Sequence, residues 1–427
     1  MPTPQREKSG LRGGGTARVL AGRFGYVFCA QWGSSLLTGV LLILLARSGP
    51  ELYGFFTLAM ALGALVNMAT DAGLKDYLVP LMTRRRAPVR RILAQAMFLQ
   101  TGLLLLSLAL LALLCLLLGY GPQKSAVNLI VAAGMGLNTA VQSFFVLCRI
   151  RGRQDTEMRI TVPASLAGSL FGIACLLSGF PPAFLACFKL VESSVACVLI
   201  GRALRWRLGG FPTGCGRWIG EWRHGLSFTG IAVCALLYNK LNMYVLDRHG
   251  GEYSLGLYNA PWEIVDGLSV LVSGAFLAKV IFPHLAGRWQ KDIRSFARTC
   301  GVIGAGLLLF GLALSFILAA TGERLLPLLY GQAYAASAPL LRAQLPCLLA
   351  SSLHNLAASM LICMQQYRPL LLAYASGLLC NIALCALLIP DQGALGAAWA
   401  ISGTKIWMAA CTVGLALIFL RNVRALR

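Results

Sequence analysis

Eleven charged side chains stand inside stretches that are otherwise apolar: Lys75, Lys189, Lys240, Lys279, Arg342 and Lys405, with Asp71, Asp76, Glu192, Glu263 and Asp266. A charge at the centre of a membrane-spanning helix costs about 2.5–3.5 kcal/mol on insertion scales, so each must face a partner, a cavity or the bundle interior. Their spacing sorts them. Asp71 and Lys75 are four apart, acid first, which is the favourable order on a helix. Lys189 and Glu192 are three apart and suit a structural ion pair. Glu263 and Asp266 are also three apart but carry the same sign. Two carboxylates that close disfavour one another's charge, so one of them can hold a proton near neutral pH. That is the chemistry of a proton- or cation-coupled carrier. The plainer reading is a salt bridge from one acid to a lysine of another helix. Lys240, Lys279 and Arg342 have the option of snorkelling to a membrane face; Lys405 lies deeper. His354 beside Asn355 reads first as an interhelical hydrogen bond.

These residues need long apolar helices to carry them. The chain has 427 residues, 58% hydrophobic and only 12% charged, with a mean hydropathy of +0.72. A soluble domain carries about 25% charged residues. Apolar runs long enough to cross a hydrocarbon core of about 30 Å recur along the chain. The pattern predicts an all-α polytopic membrane protein with helices at 24–46, 52–82, 92–118, 126–148, 160–179, 183–201, 224–246, 253–286, 298–320, 336–364, 369–389 and 392–420. The second, eighth and tenth exceed a single span and must tilt or bend. Pro261 and Pro283 in the eighth, and Pro339 and Pro346 in the tenth, are candidate breaks. A basic, Gly-rich tail (1–23) precedes an N-terminal six-helix bundle (24–205). A linker (206–223), a second six-helix bundle (224–420) and a short tail (421–427) follow. The first apolar run is too long for the core of a cleaved signal peptide and reads as an uncleaved helix. The 14 cysteines include no CxxC pair and no Cys/His metal spacing. Most lie in apolar spans as small hydrophobes, so no disulfide, metal or cofactor is expected.

Between these helices, 27 lysines and arginines fall in the termini and in one set of loops, and only Arg47, Lys124, Arg248 and Arg324 in the other. That asymmetry predicts both termini in the cytoplasm. The net charge of +22 is then a topology signal aided by anionic lipid, not a nucleic-acid footprint. The opposite loops are all short, which leaves no room for an extracytoplasmic catalytic domain and argues against a membrane enzyme.

Two stretches repeat. SGPELYGFFTLA (Ser48–Ala59) follows the first helix and HGGEYSLGLYNA (His249–Ala260) follows the seventh. Each reads small-residue turn, Glu, aromatic, Gly and two large residues, and Gly54 and Gly256 mark equivalent helix starts. Six helices per half preserve the topology, so the halves are related by an axis along the membrane normal.

With these stretches, LLPLLYGQAYAASAPLLR and LLIPDQGALGAAWAIS, the chain resembles the oligosaccharide-lipid flippases (the O-antigen and capsule, Wzx-like group) of the multidrug/oligosaccharidyl-lipid/polysaccharide exporter superfamily. The resemblance spans nearly the whole chain. It implies two pseudo-symmetric six-helix bundles around a central cavity lined by the first, second, seventh and eighth helices. The protein would work by alternating access on a polyprenyl-diphosphate-linked oligosaccharide in the bacterial inner membrane. Lys75, Lys240, Lys279, Arg342 and Lys405 would contact the anionic cargo, and Glu263, Asp266, Asp71 and Asp76 would couple transport to an ion. Many relatives carry an acid where this chain has Asn239-Lys240-Leu241-Asn242. The resemblance further implies membrane lipids and the polymerase and glycosyltransferases of the same pathway as partners, with the protein itself a monomer. A cation-coupled drug exporter of the same superfamily, a lipid II-type flippase and a membrane glycosyltransferase are the competing readings.

Overall fold

The structure, a computed structural model, describes residues 33–75, 78, 82, 89–151, 153–204, 226–270, 285, 288–289 and 292–425. Among them there is no strand; the α-helical segments group into twelve, with a 3₁₀ helix (Gln332–Ser337) ahead of the tenth. The first six are α1 (Gly33–Arg47), α2 (Pro50–Asp71), α3 (Val89–Leu117), α4 (Pro122–Ile150), α5 (Gln154–Leu177) and α6 (Pro182–Ala203). The last six are α7 (226–250), α8 (252–269), α9 (Ile293–Tyr330), α10 (338–363), α11 (367–392) and α12 (394–425). Several of these segments are individually long and apolar enough to cross a membrane.

Local chemistry sets the joints. Pro50 and Pro122 open α2 and α4 at the first turn, where no backbone N–H is needed. Gly251 (φ 67°) and Gly393 (φ 56°) join α7 to α8 and α11 to α12 within a single residue, a left-handed turn that glycine adopts without steric cost. Two helix boundaries depart from the sequence expectation, and one expected break is found. The second helix does not run unbroken to residue 82: α2 stops at Asp71, where Ala72 (φ 42°) and Gly73 (φ 76°) both turn left-handed before Leu74 and Lys75 resume helix. The tenth breaks at Leu345, just before Pro346, whereas Pro261 sits inside α8 without disturbing it. The ninth runs ten residues past 320, to Tyr330.

The buried apolar residues form three clusters. The largest draws on both halves: Tyr53, Phe56 and Leu62 of α2 and Val131 of α4 join Tyr258 and Trp262 of α8, Leu326 of α9, Leu341 of α10 and Ile401 of α12. The second cluster uses only the first half, with Leu78, Ile92, Phe145, Ile160 and Ile200. The third uses only the second half, with Phe296, Leu361, Leu370 and Leu420. Among the described residues, therefore, the halves share one core at the end where α2 and α8 begin. At the opposite end each half has a core of its own. Apolar area common to both halves is what holds two bundles together, and it is concentrated at one end.

Candidate functional site where the halves meet

The halves touch most closely at α2 and α8. A Cβ placed on Gly54 would overlap the carbonyl of Glu252, and one on Gly256 would overlap the carbonyl of Pro50. Residue 54 meets residue 252 while residue 256 meets residue 50, so the contact repeats itself when the halves are exchanged. That reciprocity is the mark of a two-fold axis, and it runs between the two glycines that the internal repeat pairs.

Two polar contacts flank this axis, again in related places. On one side Arg47, at the end of α1, donates through Nε to the carbonyl of Leu329 (2.9 Å) and through Nη2 to that of Leu328 (2.6 Å), at the end of α9. On the other side Asp247, near the end of α7, meets the start of α4. Lys124 Nζ lies 2.7 Å from Asp247 Oδ1 and 3.2 Å from Glu252 Oε1. Tyr120 donates its hydroxyl to Asp247 Oδ2 at 2.7 Å. Burial, and then the Asp247 carboxylate, push the Tyr120 phenol well above its usual range, so it stays protonated as the donor. The side chain of Asp247 is only 1% exposed, which makes the lysine its necessary counter-charge.

Beneath this closure lies a polar and aromatic array. Asn259 Nδ2 donates to Tyr53 Oη (3.3 Å) and to Glu263 Oε1 (3.4 Å), linking α2 to the middle of α8. The Tyr53 ring centre is 6.2 Å from those of both Tyr330 and Tyr334. Trp262 and Val265 are buried, yet Glu263 between them is exposed, with Lys240 of α7 as its cationic neighbour. Just past α2, Lys75 Nζ sits 3.5 Å from Asp71 Oδ2, and the Lys75 backbone N–H donates to Asp71 Oδ1 at 3.4 Å. The carboxylate thereby bridges the left-handed break, and the lysine side chain remains about one-third exposed.

The other expected residues fall elsewhere. Lys405 is buried among the helices of the second half, within the electrostatic reach of Asp266. Arg342 donates to Glu323 at 2.5 Å on the exposed surface near the end of α9. Asp76 and Lys279 lie outside the described residues. Lys189 and Glu192 form an ion pair at 2.7 Å, and Glu192 accepts from Ser165, which bonds Ser34, tying α6, α5 and α1. His354 bonds Thr412 (3.2 Å) and Tyr374 (2.9 Å), an interhelical network. Sequence reasoning missed the Tyr120–Lys124–Asp247–Glu252 cluster and took Arg47 and Lys124 only as topology markers. The available signal was their scarcity: each of these two cations, among only four on that side, sits at a helix end that the opposite half needs.

The fold is shared with solved transporters. A multidrug resistance MATE family transporter of the MOP superfamily, in an inward-facing conformation, superposes with a TM-score of 0.74. Identity is 15%, over 92% of this chain and 96% of that one. A transporter of the same description in an outward-facing conformation gives 0.56, at 14% identity over 95% and 96%. The lipid II flippase MurJ in an inward closed conformation gives 0.63, at 14% identity over 93% and 92%. No curated protein sequence matches the chain. These likenesses define the fold: an all-α, multi-pass membrane architecture of the kind these transporters have. Residues 44–339 match the family model described as polysaccharide biosynthesis protein. The chain belongs to that family.

Proposed function

We propose that this protein is a flippase that carries a polyprenyl-diphosphate-linked oligosaccharide from the cytoplasmic to the outer leaflet by alternating access. One observation carries the reading: the halves share a core at one end and keep separate cores at the other. Two bundles hinged at one end form a V. With both termini cytoplasmic, as the Lys/Arg asymmetry indicates, the joined end faces outward and the V opens toward the cytoplasm, where the cargo is made. The higher similarity to an inward-facing than to an outward-facing transporter supports the same state.

The array inside the V suits such cargo. Lys75 and Lys240 offer ammonium groups to a diphosphate, and their effect grows as water is excluded. Glu263, exposed on α8, offers a carboxylate to sugar hydroxyls, while the buried Asn259 and the three buried tyrosines behind it set its position. Glu263, with Lys240 as its counter-charge, is the group placed to couple the cycle to a proton or cation. Arg342 is no longer a cargo contact in this reading, because it pairs with Glu323 on the exposed surface.

The test is chemical. In a strain lacking the gene, membrane lipids are extracted and searched by mass spectrometry for sugar-loaded polyprenyl diphosphate. The expected result is a defined oligosaccharide-lipid whose sugar is accessible only from the cytoplasmic side. No accumulation, together with new sensitivity to cationic drugs, would sink the flippase reading in favour of drug export.

A further inference from the structure

Lys405 has a charge that neither cargo contact nor snorkelling accounts for. It lies on α12, 6% exposed, in the interior of the second half. Its ammonium stands over the Tyr238 ring at 5.0 Å and the Trp262 ring at 5.9 Å. Tyr238 comes from α7 and Trp262 from α8, and both are buried. Asp266, one turn beyond Trp262, is the acid whose charge acts on this ammonium, beyond the reach of a direct ion pair, and Cys347 of α10 acts on it too. His354 faces the lysine from α10, held by Thr412 and Tyr374. Four helices thus converge on one positive charge. Two ring faces with a carboxylate make a receptor for a small monovalent cation. Here the cation arrives on the chain itself, and a tethered group outcompetes a free one through its local concentration.

We propose that the Tyr238–Trp262–Asp266 pocket is a monovalent-cation site permanently filled by Lys405, so that the chain itself compensates Asp266 and exchange with an external ion is left to Glu263. The division of labour with Glu263 rests on the carrier reading; the occupancy of the pocket does not. Emptying the pocket should turn a closed site into an open one. Its natural guests are a primary alkylammonium, which copies the lysine head, and sodium.

The experiment uses the purified full-length protein in detergent and follows thermal unfolding. Lys405→Ala should melt below the wild type. Methylammonium chloride should raise its Tm saturably, by about 2 °C at tenfold excess over the dissociation constant. The wild type should respond no more than to choline chloride, a bulkier cation without an N–H to donate. Adding Asp266→Asn should abolish the response. Methylammonium and sodium both failing to move Lys405→Ala, or moving wild type and variant alike, would overturn the proposal. Lys405→Met keeps the stem and removes the charge, and carries the test should the alanine variant not fold. It should melt below the wild type and ignore methylammonium; melting at or above the wild type would equally overturn the proposal. None of these readings requires transport, so a failed flippase assay would leave them standing.

Discussion

At the scale of single residues, two carboxylates one turn apart have been given different surroundings. Glu263 is exposed and bonded to Asn259, while Asp266 sits near a buried lysine. Their spacing suggested a shared proton; the two carboxylates do act on one another, and each also has a lysine of its own, Lys240 for Glu263 and Lys405 for Asp266. The variants should therefore diverge. Glu263→Gln is expected to flatten the dependence of sugar-lipid export on the ion gradient without lowering Tm, whereas Asp266→Asn should lower Tm. An Asp266→Asn protein as heat-stable as the wild type would contradict this division. Lys75→Ala should abolish export in a glycan assay while leaving membrane insertion intact. Its side chain is about one-third exposed, and its bond to Asp71 is a modest contribution to folding. Normal glycan output would remove it from the cargo path.

At the scale of elements, the decisive features are places where helices must stop or touch. The twelve-helix frame was legible because each span is an apolar run bounded by charge or by Gly and Pro. The pairing of Gly54 with Gly256 was legible as a repeat, but a repeat does not say that its two copies meet. The break after Asp71 was hidden: Ala72 carries no turn signature, and only Gly73 hinted at a left-handed backbone. The partner of Arg342 was not legible because α9 runs on to Tyr330 and brings Glu323 within reach. Apolarity alone does not mark where a helix leaves the membrane. Substituting the glycines tests the contact. Gly54→Ala or Gly256→Ala forces a Cβ into a carbonyl, and overpacking of this kind costs about 1–3 kcal/mol. The closed-to-open ratio at that end should fall roughly tenfold per 1.4 kcal/mol. Distances between spin labels at Ser48 and Gln332 would report it; unchanged distributions would mean the helices simply slide apart to make room.

At the scale of the whole molecule, the joined end is held by apolar packing along the axis and by polar contacts to either side. The polar contacts are the switchable part. Lys124→Ala leaves the buried Asp247 without its main counter-charge, a change that costs about 3–5 kcal/mol where a buried pair is broken. The variant should favour the state open at that end, seen as a longer distance between labels at Ser125 and His249. Adding Asp247→Asn removes the stranded charge, so the double variant should lie closer to the wild type than Lys124→Ala does. Strict additivity would show that the two residues do not act as a pair.

The two-fold relation of the closing contacts bears on ancestry as well as on mechanics. An interface that maps onto itself when its two sides are exchanged is one that two copies of a single side can form. A gene encoding only six helices, with one glycine at the position of Gly54 and Gly256, would have had in its own twin the partner that α2 now finds in α8. Duplication and fusion would then have joined a surface already self-complementary. Once the copies lay in one reading frame, each would have been free to diverge, and the buried cation of Lys405 in the second half is the kind of change that freedom allows.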